Sequence, residues 1–258
     1  KNNIIILTTV NAVIQKTAPR HALTNGIFEI SLGLKIELND LIFKLINSGY
    51  TRTSLVRDKS EFAVRGSIID IFLPQFEKPI RIDLFDNDIE SIFEFDPITQ
   101  KRTSKSNLDY FLLIPGSELI IDKEIIQKFR TNFRSLFQDY RKSHIYESFS
   151  TGEIPSGGEQ YLPLFYDKLD TLFDYCDNNQ LIFHNDIKEI FDERIENLND
   201  YYQARISSND QYFLSPDNLY IDKNYFDKIT SNFEVTKLSF FHKEGDLPIN
   251  VKKISNIS

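Results

Sequence analysis

Between Thr51 and Asp96 the apolar residues recur at every second position. Phe62 and Val64, Ile69 and Ile71, and Ile82 and Leu84 each stand apart by one residue. A period of two is the mark of pleated strands with one buried face. Gly66-Ser67 and Asp86-Asn87 interrupt the pattern where hairpin turns belong. The block therefore predicts an antiparallel meander of about four to five strands. Just before it, Leu38, Leu41, Ile42, Leu45 and Ile46 follow helical spacing, and Gly49 is placed to end the helix. A helix over 37–48 packed against the meander is the expected unit.

The flanks carry a different pattern. Ile4-Ile5-Ile6-Leu7 reads as a buried strand over 3–8 of the kind found in parallel sheets. A brief helix follows from Thr9 to about Lys16, stopped by Pro19. Beyond Pro97, Leu112-Leu113-Ile114 is a short strand. Ile125, Ile126, Phe129, Phe133, Leu136, Phe137 and Tyr140 then mark a long helix to about Arg141. Residues 152–158 read as loop, 164–175 as helix and 181–184 as strand. Asn185 or Asp186 can cap a helix striped by Ile187, Ile190, Phe191, Ile195 and Leu198. A last strand is expected over 233–241 and a tail over 250–258. The fold class that follows is α/β: a parallel-sheet α/β domain interrupted by an inserted, antiparallel, β-rich α+β domain. The expected division is 1–30 for the end of a first α/β subdomain, 31–112 for the insert, 113–247 for the returning half and 248–258 for a linker. The strands at 3–8, near 112 and near 181 would share one sheet.

Composition narrows the function classes. The formal charge of −8 over 258 residues argues against a chain that clamps nucleic acid as a whole. Twenty-two Phe and 12 Tyr with no Trp imply Phe-rich cores. The single Cys, Cys176, excludes an intramolecular disulfide and suits a reducing cytoplasm. The N-terminal apolar run is too short for a signal peptide or a membrane span, so a cytoplasmic location is expected. The absence of Met suggests a piece of a longer protein.

Catalytic constellations are sparse. No Gly-x-x-x-x-Gly-Lys-Ser/Thr loop occurs to cradle phosphates. Asp192-Glu193 has the letters of a metal-coordinating acidic pair but falls within a helical stripe. His21, His144, His184 and His242 lack ligand spacing with one another or with Cys176. Asp83, Asp86, Asp88, Glu90, Glu94 and Asp96 lack the order of a calcium loop and read as turn and strand residues. Basic side chains are more suggestive: Arg52, Arg57, Lys59, Arg65, Arg81, Lys101 and Arg102 all lie in or beside the β block. Arg65 ends one strand and Arg81 begins another. With Phe85 they could converge on one face as a protein-docking surface, or simply pair with nearby carboxylates.

Gly49-Tyr50-x-Arg52, Glu61-Phe62-Ala63-Val64-Arg65-Gly66, Arg81-Ile82-Asp83-Leu84-Phe85-Asp86 and Phe95-Asp96-Pro97-x-Thr99 resemble a segment shared by UvrB and by the transcription-repair coupling factors (Mfd). Thr8-Thr9-Val10-Asn11-Ala12, Thr99-Gln100-Lys101-Arg102, Tyr161-Leu162-Pro163-Leu164-Phe165-Tyr166 and Leu172-Phe173-Asp174-Tyr175 resemble the coupling factors in particular. The resemblance implies an N-terminal UvrB-homology region whose insert docks UvrA. It places the UvrA-contacting positions on Arg65, Arg81 and Phe85, with no catalytic, cofactor or metal residue in this chain. ATP and Mg would belong to a C-terminal DNA translocase outside it. RNA polymerase and double-stranded DNA would likewise be partners of the longer protein, which displaces stalled polymerase and recruits nucleotide excision repair. The alternative reading is a helicase-like fragment that binds ATP or DNA. Ser60 and Ser67 stand where that family commonly has Gly, and Leu84 where it often has Phe. If Arg81 and Phe85 are exposed anchors, truncating either should leave folding stability within about 0.5 kcal/mol.

Overall fold

The period-two block folds as its pattern requires. The computed structural model describes residues 5–103, 105–176, 180–208 and 211–239. Two short helices, α1 (Val10–Ile14) and α2 (Arg20–Asn25), precede strand β1 (Phe28–Ser31). Helix α3 (Leu38–Asn47) and strands β2 (Thr51–Arg52), β3 (Glu61–Arg65), β4 (Ile68–Ile71), β5 (Ile80–Phe85) and β6 (Asp88–Glu94) follow, then β7 (Tyr110–Leu113). Strands β2 to β6 form one sheet in sequence order. The β3–β4–β5–β6 part is antiparallel, whereas β2 joins β3 in parallel.

One face of this sheet is the module's core. Phe62, Ile69, Ile71, Ile80, Ile82 and Ile92 are fully buried against Leu41 and Leu45 of α3 and Ile30 of β1. Helix α3 stops in a double hydrogen bond: the Gly49 N–H donates to Ile46 O and the Tyr50 N–H to Leu45 O. Gly49 adopts φ of +81°, which an L side chain resists. A Cβ there would also come within 2.4 Å of the Ser117 Cβ. Strands β1 and β7 pair antiparallel, Phe28 opposite Leu113, so the chain enters and leaves the module side by side.

The remainder is mostly helical: α4 (Lys123–Leu136), α5 (His144–Thr151), a 3-10 turn over Gly158–Leu164, α6 (Leu172–Tyr175), strand β8 (Gln180–His184), α7 (Ile187–Ser207), α8 (Pro216–Leu219), α9 (Lys223–Thr230) and β9 (Glu234–Leu238). Its cores are aromatic, as the composition implies. Phe129 lies 4.8 Å from both Phe149 and Phe165 and 5.3 Å from Phe133, ring centre to ring centre. A second cluster gathers Ile14, Phe173, Phe191, Leu198, Ile221 and Phe226.

Several expectations fail here. Residues 5–9 form no strand, and Ile5 and Leu7 are 93% and 97% exposed; residues 3 and 4 lie outside the described residues. An apolar run becomes a strand only where an edge receives it, and no described strand pairs with this one. The proposed shared sheet does not form among the described residues: β7 pairs with β1, and β8 pairs in parallel with β9. The long helix ends at Leu136, not Arg141. Phe137 and Tyr140 turn away to meet Tyr212 and Tyr146, at 5.7 and 4.9 Å, and Asp139 would oppose a helix C-terminus. The helix expected over 164–175 is only α6, because Asp170 is held extended by a bridge to Thr17. The strand over 233–241 is found as Glu234–Leu238, with residues 240 and 241 outside the described residues, as is the expected tail over 250–258. No described helix is long and apolar enough to cross a membrane.

Candidate docking face

Strand alternation sorts the side chains of β5 cleanly. Ile80, Ile82 and Leu84 point into the core, leaving Arg81, Asp83 and Phe85 on the opposite face. The register shift beside Asp83 is absorbed by β6, where Asp83 faces Ser91 and Leu84 faces Ile89, so β5 keeps its alternation. Across the sheet, Ala63, Asp70, Arg81 and Phe93 form one row, and Arg65, Ile68, Asp83 and Ser91 the next. Arg65, Arg81 and Phe85 therefore share a face, as the sequence reading required.

What joins the arginines is a residue that reading did not single out. Asp70 is 1% exposed and accepts from Arg65 Nη2 at 2.5 Å, Arg81 Nε at 2.6 Å and Arg81 Nη2 at 2.9 Å. A buried carboxylate needs such partners, and the two guanidiniums supply them. The Gln100 Oε1 completes the set, accepting from Arg81 Nη2 at 2.9 Å and Arg65 Nη2 at 3.3 Å. Gln100 sits at φ of +60° beyond a turn built by Asp96. The Asp96 Oδ1 accepts from the Ile98 N–H, the Thr99 N–H and the Thr99 hydroxyl. These bonds, led by the Thr99 N–H, hold the Asp96 carboxyl below its usual range.

The two arginines differ in access. Arg81 is 15% exposed at its side chain and lies 4.5 Å over the Phe95 ring, and its hydrogen bonds to Asp70 raise its pKa further. Arg65 is 44% exposed and makes no bond through Nε or Nη1 among the described residues. Phe85, at the tip of the β5–β6 hairpin, is 73% exposed. The expectation that Arg81 is an exposed anchor is thus corrected. Its removal would strip a buried carboxylate of two of its three bonds, a cost of about 1–3 kcal/mol rather than a negligible one.

Other sequence candidates resolve into structure. Asp83 accepts from the Ser91 hydroxyl at 2.8 Å, and Asp88 lies 3.8 Å from Lys35. Lys59 donates to the Pro74 carbonyl, and Arg102 stacks 4.6 Å over Phe93. Asp192 lies on α7 and pairs with Lys223 at 2.5 Å. No cluster of three or more potential metal ligands occurs among the described residues. Ser60 takes φ of +64°, which suits a position where glycine would be at ease. At the β3–β4 turn it is Gly66 that carries the positive φ, +64°, so Ser67 is under no such demand.

Comparison with known proteins matches this module. Residues 28–119 match the family described as the UvrB interaction domain. The chain is similar to the transcription-repair-coupling factor of Rickettsia bellii, with 33% identity over 227 residues covering 85% of this chain and 20% of the relative. The same-named protein of Haemophilus influenzae is 28% identical over 253 residues, covering 95% and 22%. That of Escherichia coli is 30% identical over 194 residues, covering 74% and 17%. The chain spans about a fifth of the length of the curated relatives it matches.

Proposed function

Because this chain belongs with the transcription-repair-coupling factors and carries a UvrB interaction domain, we propose that its β module is the docking site for UvrA. The observation that carries the reading is an exposed Phe85 on the same sheet face as two arginines organised around a buried carboxylate. An aromatic anchor beside oriented guanidiniums suits a partner patch that is acidic and partly apolar. The chain itself acts as a non-catalytic recruiter for nucleotide excision repair. ATP use, DNA translocation and displacement of RNA polymerase belong to the rest of the full-length protein.

The rival reading, a nucleotide- or DNA-binding enzyme fragment, finds less support. A phosphate site needs a glycine-rich approach of backbone, and the sequence has no such loop. A cavity of about 460 Å³ between the 3-10 turn region and α9 is lined by Lys16, Tyr166, Thr171, Asp217, Tyr220 and Tyr225 among others, with no glycine. Lys16 there already donates to the Asp217 carbonyl at 2.7 Å.

Calorimetric titration of UvrA against the chain and its Phe85→Ala variant tests the proposal. Losing an interface anchor of this kind costs about 2 kcal/mol, roughly thirtyfold in affinity. The melting temperature should hardly move, since Phe85 is mostly in solvent. Unchanged affinity would place docking elsewhere on the chain.

A further inference from the structure

A guanidinium on an open sheet face has four rotatable bonds, and a partner must freeze them before it can use the charge. Arg65 and Arg81 do not face that cost alone. They come from different strands, yet both bond the same Asp70 carboxylate and the same Gln100 amide oxygen. Gln100 in turn is held from the other side, its Nε2 donating to the Pro97 carbonyl at 2.8 Å and its backbone N–H to the Asp96 carbonyl at 2.8 Å. The acceptors are thus fixed before any partner arrives: one in the sheet, one on the Asp96–Gln100 turn.

We propose that Asp70 and Gln100 are positioning residues of the docking face, preorganising Arg65 and Arg81 for a carboxylate-bearing partner without touching that partner themselves. This rests on the reading that the face binds UvrA. Asp70 is too deeply buried to reach a partner, and its charge together with that of Asp83 on the same face offsets the two guanidiniums, leaving little net charge. The face therefore fits a partner surface with one dominant acidic group beside an apolar socket for Phe85, more than a strongly acidic patch. Gln100 ties the 96–100 turn to the same task, so a turn that offers the arginines only an uncharged acceptor helps set affinity.

The test compares variants of Gln100, because Asp70 variants also affect folding. Gln100→Ala removes the shared acceptor, whereas Gln100→Glu keeps an oxygen acceptor facing both arginines. Titrations with UvrA well below the melting temperature should show both variants weakened by about tenfold, Gln100→Ala through the lost acceptor and Gln100→Glu through the added negative charge and the lost bond to Pro97. Asp70→Asn, which keeps the shape but not the charge, should lower affinity as well as melting temperature. A merely structural role would lower melting temperatures while leaving the affinity of the folded protein unchanged in all three, and that outcome overturns the inference. Phe85→Ala and Arg65→Ala serve as the separate check. If they lose binding while the Gln100 and Asp70 variants keep it, positioning is wrong and the docking face stands. If neither loses binding, the docking face itself is wrong.

Discussion

The β module and the helical remainder are built from the same amino-acid supply but hold themselves together differently. In the module, one sheet face is sealed by β-branched and leucine side chains against α3, and the other carries a charged row tied across three strands by Asp70. In the remainder, stability is concentrated in ring-on-ring packing around Phe129 and Phe133, and strands β8 and β9 form only a two-stranded parallel pair with Ile182 exposed. The lesson concerns where information sits. A strand in a meander is specified by its neighbours in sequence, whereas a helix end or a parallel strand is specified by partners far along the chain.

If that contrast is right, core damage should stay local. Phe129→Ala empties the centre of the aromatic cluster and should cost about 3–5 kcal/mol. Amide exchange should then accelerate in α4 and α5 while β3 to β5 keep their protection. Equal acceleration in the module would show the two parts to be one cooperative unit and break the comparison.

Gly49→Ala strikes the module through its backbone. It combines a positive φ with a Cβ placed 2.4 Å from the Ser117 Cβ, for a loss of about 2 kcal/mol or more by denaturant titration. A neutral result would mean that the segment after β7 is not packed on the end of α3.

Arg81→Ala sharpens the comparison on the charged face. The loss of about 1–3 kcal/mol argued above should be halved or better in an Arg81→Ala/Asp70→Asn double variant, because the orphaned charge is gone. Additive losses would show that the two side chains do not depend on each other.

The smallest expected effect is a pH dependence. The folded-state pKa of Asp96 lies below its ordinary value, so the turn's contribution is present above about pH 4 and lost as pH falls through the folded value. The Thr99 amide resonance should stay fixed from neutral pH down to about 4 and shift only below it. A shift centred at higher pH would show that the carboxyl is not held by the turn.

How far the sequence could be read follows the same division. The helix over 37–48, the hairpins at Gly66-Ser67 and Asp86-Asn87 and the shared face of Arg65, Arg81 and Phe85 were legible, because alternation and turn residues fix them locally. Asp70 was readable in principle. A charge inside Ile-Ile-Asp-Ile, counted forward from the Gly66-Ser67 turn, falls opposite Ala63 and beside Arg81. Alternation along β5 gives the face of Arg81 but not its exposure, which depends on Asp70 one strand over. Strand β1 escapes a local reading because its partner β7 lies at the far end of the module. The stretches after Phe137 and Leu164 depart from their local pattern because Phe137 packs on Tyr212, Tyr140 on Tyr146 and Asp170 on Thr17, contacts that helical spacing does not encode.

The pairing of β1 with β7 has a mechanical consequence. Phe28 faces Leu113 and Ser31 faces Tyr110, so both connections to the rest of the chain leave the ribbon at the same end. A pull on the module along the ribbon axis would be divided between two covalent strands running side by side. The ladder of hydrogen bonds between them would then lie across the load and carry little of it. Tension applied at the tip of β5–β6 passes into this twin tether without peeling the module open, whereas prising the two strands apart from the Phe28–Leu113 end would break the bonds one rung at a time.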